Sequence, residues 1–250
     1  MSADRNDLDL YERHASEWWD PRSPNFRSLQ QVNRFRVELI TAWLGPRLPG
    51  SLVVDLGCGG GLLAHPLSGL GARVVGLDIS GGSLREAARQ AGAKGNGNGL
   101  AWARGDVCRT PLGGACADHV VLADVVEHLE DPAAAIREAA RLLRPGGFLY
   151  VNTLNRTRQA AFLAVHLSEG VGLVPKGTHD PALFVTPDEV RSAGESAGLQ
   201  LERFQGESPD LLRTVTTWRV HLKRSRSLAV AYSALLTKAN PTTAHTRPRS

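Results

Sequence analysis

From residue 51 onward, short apolar runs alternate with longer stretches of helical periodicity. The runs at 51–56, 72–78, 100–104, 119–123 and 147–153 are too continuously apolar to belong to strands with one wet face. Strands of that kind are buried on both sides, as in a parallel sheet covered by helices. Between them, 60–69, 82–91 and 132–143 carry helical spacing. This alternation predicts an α/β fold built on a doubly wound, mostly parallel sheet. Strand-like pieces at 200–205 and 215–222 bring the expected sheet to seven strands. Before them, Thr186, Pro187 and Glu189 read as the hydroxyl cap, first-turn proline and capping-box acid of another helix.

Residues 1–50 read as a helical lead-in that can serve as a lid. They hold an aromatic knot, Trp18-Trp19-Asp20, and a helix over 30–44 in which Val32, Phe35, Leu39, Ala42 and Trp43 fall near helical spacing. Pro46 and Pro49-Gly50 break it. The main domain spans 51–239, with an insertion at 155–183 that interrupts the strand–helix rhythm. The Gly-rich run 93–99 predicts a flexible connection, and the Pro/Thr/Arg-rich end 240–250 predicts a disordered tail.

With 250 residues, 42% of them hydrophobic, the chain suits one large domain. No apolar run approaches the length of a membrane span, and the polar start lacks the regions of a signal peptide, so the expected location is the cytoplasm. Cys58, Cys108 and Cys116 form no CxxC pair, and we expect reduced thiols acting as small apolar fillers. The net charge of +4 is uneven: 203–250 holds nine Lys/Arg against Glu207 and Asp210. A basic end can attract an anionic membrane surface or nucleic acid. It lacks the aromatic interleaving of a single-strand groove, so nucleic acid is not an expected partner.

Asp55-Leu56-Gly57-Cys58-Gly59-Gly60-Gly61 falls where the first strand turns into the first helix. Glycines there let the backbone turn sharply and a ligand lie against it. Asp78 ends the second strand, placed to accept ribose hydroxyls. A dinucleotide fingerprint would need glycine where Leu62 stands. The D-x-G-x-G-x-G pattern, with Asp106 after the third strand, instead resembles class I S-adenosylmethionine-dependent methyltransferases. In that class the first acid helps hold the methionine end, and the third contacts the adenine.

After the fourth strand, Asp124, Glu127 and His128 stand at i, i+3 and i+4. On a turn of helix they share a face, which suits either two metal ligands with a base or three ligands to a divalent ion. A polar loop at a helix start can hold such residues without either role.

The chain from 11 to 239 also resembles the ubiquinone-biosynthesis O-methyltransferase family. The resemblance is carried by Ala15-Ser16-Glu17-Trp18-Trp19-Asp20, Asn33-Arg34-Phe35-Arg36, Val126-Glu127-His128, and above all Thr153-Leu154-Asn155-Arg156 with Val174-Pro175-Lys176-Gly177-Thr178-His179-Asp180. It implies methylation of a phenolic or catechol hydroxyl on a polyprenylated ring. It also implies S-adenosylmethionine contacts at Arg36, Gly57, Asp78 and Ala123, beside Gly59 of the glycine turn, and a magnesium ion on Asp124, Glu127 and His128. Glu127 and His128 are then the candidate catalytic pair. Arg36 suits the role independently, as a guanidinium fork for the cofactor carboxylate.

The chain departs from the family at Asp124, where Glu is usual, and at Ala231, where Asn is usual. In the insertion, Phe162, Leu163, Val165, Leu167, Val171 and Leu173 allow either a membrane-surface contact through 156–174 or a lid over the site. His179 is a secondary candidate base or a loop-ordering residue. Two rival functions stay open: a specialised-metabolite O- or N-methyltransferase, and a non-catalytic cofactor- or nucleic-acid-binding protein.

Overall fold

The computed structural model describes residues 9–93 and 99–240. The connection at 93–99 and the tail at 240–250 fall almost wholly outside them. The strands are β1 (Leu52–Leu56), β2 (Arg73–Asp78), β3 (Leu100–Arg104), β4 (Ala117–Ala123), β5 (Leu143–Leu154), β6 (Leu199–Pro209), β7 (Leu222–Ser225) and β8 (Ala231–Lys238). They form one sheet in the order β3-β2-β1-β4-β5-β8-β6-β7. β1 to β5 pair in parallel, while β8 runs antiparallel to both β5 and β6.

Eight strands replace the expected seven. The piece at 215–222 is not a strand: it begins inside helix α8 (Leu211–Thr217), and β7 starts only at its end. The β-branched residues there favour a strand locally. Asp210 overrides them by capping the helix, its side chain accepting from Arg213 N at 3.2 Å. β8 is the strand the spacing did not announce.

The remaining helices are α1 (Asp9–Arg13), α2 (Arg27–Leu44), α3 (Ala64–Gly69), α4 (Gly81–Ala93), α5 (Pro132–Leu142), α6 (Arg158–Ala161) and α7 (Pro187–Ser196). α6 continues as a π-helix over Phe162–Glu169. Each face of the sheet has its own core. Ile136, Ala139 and Leu142 of α5 and Val190 of α7 pack on one side; Leu39, Ile40 and Leu44 of α2 and Leu67 of α3 pack on the other. That two-sided burial explains the continuously apolar strands. The predicted capping box of α7 is present, with Thr186 and Glu189 each accepting from the other's backbone N–H.

The N-terminal segment closes over the Gly-rich turn. Trp18 stacks on Phe26 at 4.2 Å between centroids and donates through Nε1 to Ser83 Oγ at 2.9 Å. Trp19 Nε1 donates to Gly60 O at 2.8 Å, fixing the knot on the turn itself.

Candidate active site

The sheet order reverses between β1 and β4, where open α/β sheets form a crevice at their carboxyl ends. A cavity of about 330 Å³ lies there. Its wall includes Arg36, Asp55, Gly57, Gly59, Asp78, Asp106, Ala123, Asp124 and His128. Nine residues picked out from spacing and resemblance therefore meet in one space. Glu127 is not part of that wall; it is buried at 1% exposure.

At the turn, Gly57 has φ +74°, and a Cβ on it would lie 2.4 Å from Val125 Cγ2. Both the backbone conformation and the space demand glycine. Gly57 N and Cys58 N both donate to Leu77 O, at 2.7 and 3.0 Å, which binds the turn to the end of β2. Asp78 braces it further: Oδ2 accepts from Gly59 N and Oδ1 from Ser80 N, each at 2.8 Å. Asp55 is different. Its Oδ2 is buried without a partner, and burial, reinforced by Asp78, pushes its carboxyl up to about 7. A buried carboxyl without a partner at the wall of a cleft is suited to a cationic ligand group. Asp106 accepts from Cys108 N at 2.8 Å, so it shapes the turn after β3 as well as lining the cavity.

Arg36, on α2, is buried at 3% exposure and its donors are engaged. Nε donates to Asn152 Oδ1 at 2.7 Å, one terminal nitrogen to Asn33 Oδ1 at 3.1 Å, and the other to Asp124. It is therefore the hub of a buried network, and a cofactor carboxylate would have to share it with Asp124. Asp124 sits in the left-handed region at φ +53°, which turns the chain out of β4 and brings its carboxylate back to Arg36.

Val126–His128 form a single 3₁₀ turn. Burial, with help from Asp124, pushes Glu127 up to about 8, and its Oε2 has no partner. Burial and the neighbouring His179 push His128 down to about 4, so its imidazole is neutral. The His128 and His179 rings lie 6.1 Å apart. His179 does order its loop: Glu169 Oε1 lies 3.2 Å from its Nδ1 and accepts from its backbone N–H at 3.0 Å. Among the described residues, no group of three or more His, Cys, Asp or Glu side chains is arranged to hold a metal ion.

Two wall residues were not foreseen. Asn152 links Arg36 to the C-terminal half, and Glu207 receives that link, with Asn152 Nδ2 donating to its Oε1 at 2.8 Å. Asn152 lies within an apolar run and Glu207 in a polar one, and neither belongs to a spaced motif.

A glycine turn after β1, an acid closing β2 and a cavity at the strand-order reversal are the marks of class I S-adenosylmethionine-dependent methyltransferases, and residues 54–151 match the family model described as a methyltransferase domain. The magnesium protoporphyrin IX methyltransferase of Synechocystis PCC 6803, solved with bound SAH, shares the fold at a TM-score of 0.65, with 24% identity over 94% of this chain and 96% of that one. The ubiquinone biosynthesis O-methyltransferase of Cupriavidus pinatubonensis is 36% identical over 209 residues, covering 82% of this chain and 81% of its own. The protein of that name from Methylobacterium is 39% identical over 79% of this chain and 83% of its own. The chain belongs to the ubiquinone biosynthesis O-methyltransferase family, and it is a S-adenosylmethionine-dependent O-methyltransferase.

Proposed function

We propose that this chain methylates a phenolic or catechol hydroxyl on a polyprenylated quinone precursor. One observation supports the reading above others. Besides the glycine turn, Arg36 and His128, the cavity wall holds the apolar side chains Leu129, Leu163, Val174, Val220 and Leu222. A charged cofactor and a greasy aromatic acceptor fit opposite ends of such a space.

Methyl transfer from a sulfonium is an in-line displacement, so alignment and exclusion of water supply most of the catalysis. Asp55 and Arg36 hold the methionine end in this reading, Asp78 the ribose and Asp106 the adenine. Without a metal, the neutral His128 imidazole accepts a hydrogen bond from the acceptor hydroxyl; with one bound, that nitrogen would be a ligand instead. By donor type, Asp124, Glu127 and His128 would hold a magnesium ion, although these side chains are not grouped around one point in this structure. The partnerless Glu127 oxygen and the neutral imidazole fit that role by type, while Asp124 joins them only by releasing Arg36. When bound, such an ion lowers the pKa of the acceptor hydroxyl.

In this reading the insertion combines its two alternative uses, lid and membrane-surface contact. Leu163 and Ser168 line the cavity, while Phe162 is 57% exposed and Val171 42%. Leu211, Leu212 and Val215 of α8 are exposed as well. The two segments share a rim at Ser28, whose hydroxyl donates to Leu173 O at 2.6 Å and accepts from Val220 N at 3.2 Å. With Arg213, Arg219 and Lys223 nearby in the chain, this apolar rim suits peripheral contact with an anionic membrane surface. No helix among the described residues is long and apolar enough to cross a membrane.

The test is transfer of labelled methyl to polyprenyl catechols, the same catechols without the tail, and small amines, each with and without chelator. Preference for the prenylated catechols is the expected result. Preference for the untailed acceptors or the amines would favour a specialised-metabolite enzyme, and an unchanged rate under chelation would remove the magnesium role.

A further inference from the structure

Glu207, near the end of β6, is buried at 1% exposure yet forms part of the cavity wall. Its two oxygens differ. Oε1 accepts from Asn152 Nδ2 at 2.8 Å and from the Ser233 hydroxyl. Since Ser233 gives its proton to Glu207, the Tyr150 hydroxyl 2.7 Å away must be the donor to Ser233. Oε1 is therefore held by a chain of donors that all point toward it. Oε2 is buried with no partner among the described residues.

A buried carboxyl oxygen without a partner is costly, and one at a cavity wall is satisfied by what binds there. Its position tells which ligand that is. Glu207 pairs in register with Ala231 of β8, and Pro209, Val220 and Leu222 line the cavity close by in the chain. The cofactor turn follows β1, with β4, β5 and β8 lying between it and β6. Glu207 thus belongs to the acceptor end.

We propose that Glu207 receives the proton of the acceptor hydroxyl as the methyl group is transferred, a role that rests on the catechol reading above. The acceptor oxygen forms its bond to the methyl carbon while the carbon–sulfur bond breaks, its electron pair staying on sulfur. The O–H proton passes to Oε2. Carboxylate and sulfonium become a neutral acid and a neutral thioether, and the acid later returns its proton to water. Burial holds the Glu207 carboxyl above the usual range, with Arg36 from α2 opposing that rise and Asp124 after β4 adding to it. Tyr150 on β5 is the other titratable group that senses it. A raised carboxyl is the better proton acceptor.

The experiment compares the full chain with Glu207→Gln and Glu207→Asp on a polyprenyl catechol and on its ring-nitrated analogue, whose hydroxyl is already ionised at the assay pH. Tryptophan fluorescence, through Trp18 beside the turn, reports cofactor binding. Glu207→Gln should lower kcat on the ordinary catechol about 100- to 1,000-fold, but less than about tenfold on the nitrated one. Glu207→Asp should recover part of the loss, with cofactor affinity held within about threefold. Equal losses on both acceptors, or wild-type turnover of the ordinary one by Glu207→Gln, would overturn the assignment. Should Glu207→Gln fail to fold, Ser233→Ala leaves the carboxyl but frees Oε1, and its loss must show the same dependence on the acceptor or the assignment falls. Wild-type enzyme that methylates neither catechol defeats the catechol reading itself, and this role with it.

Discussion

The two ends of the cavity are built in different ways. At the cofactor end, the turn after β1 is set by glycine conformation, and its braces come from the neighbouring strand: Asp78 reaches Gly59 across 19 residues of chain. From Arg36 toward the acceptor end, the wall is assembled from distant segments. Arg36 meets Asp124 across 88 residues and Asn152 across 116, and Asn152 meets Glu207 across 55. The first end is specified by backbone geometry and tolerates many acceptors on the same frame. The second is specified by a polar network in which each member needs the others.

The harshest way to break that contrast is to remove the hub. Arg36→Met keeps a long apolar side chain but strips Asp124, Asn33 and Asn152 of their shared donor. Leaving a buried partner uncompensated costs about 3–5 kcal/mol. Asp124 is 31% exposed, so water screens part of this and the lower figure is the expected one. That corresponds to a fall in Tm of roughly 6–12 °C in a protein of this size. Combining the change with Asp124→Asn should recover part of the loss, since the stranded carboxylate is then gone. Calorimetry on the single and double variants decides it. A melting point for Arg36→Met within about 2 °C of wild type would mean that the acceptor end is not held through Arg36.

The difference between the ends also explains what the sequence discloses. The parallel sheet was legible because strands covered on both faces must be apolar throughout, and the cofactor turn because φ > 0 and close approach admit glycine alone. Asp55, Asp78, Asp124 and His128 were legible because each stands at a fixed offset from a strand end. Glu207 has no such offset; only folding brings it to Asn152. The segment at 215–222 misled because β-branched residues outweigh a cap in any local reading, whereas Asp210 at its helix start and Trp218 in the left-handed conformation at its end fix α8 in the folded chain. β8 was missed because it holds Ser233 and Tyr232, which look like interruptions until they are seen bonded to Glu207 and to Val185 O.

Asp55 provides a sharper probe of the cofactor end, because its cost to stability appears with pH. Its folded pKa of about 7 lies above the ordinary aspartate value, so the folded state binds the proton more tightly than the unfolded one. Stability from this group is full in acid and is lost as pH rises from about 4 to about 7. Between pH 5 and pH 8 the ligand-free protein should lose about 2.5 kcal/mol on this account. Asp55→Asn removes the titration, so its urea-unfolding free energy should fall less over the same interval. Glu127, raised to about 8, contributes the same sign in both proteins and cancels in the comparison. On the proposed assignment of Asp55 to the methionine end, the variant should also bind S-adenosylmethionine more weakly. If wild type and Asp55→Asn lose stability in parallel with pH, Asp55 is ionised in the folded protein throughout.

The smallest effect comes from a feature that was plain in the sequence and lies outside the cavity. Thr186 caps α7, with Oγ1 accepting from Glu189 N at 3.3 Å while Glu189 Oε2 accepts from Thr186 N at 2.8 Å. Replacing such a cap with alanine costs about 1 kcal/mol, or roughly 2–4 °C in Tm. Glu189 keeps a second hold on the structure, since it also pairs with Arg156, whose Nε donates to Phe184 O at 2.7 Å. Thr186→Ala should therefore loosen the start of α7 without displacing the insertion that Arg156 anchors, and kcat and KM should stay within about twofold of wild type. A larger kinetic effect would place the insertion's alignment under the control of this cap, and would join the most local element of the fold to the end of the cavity built from the most distant ones.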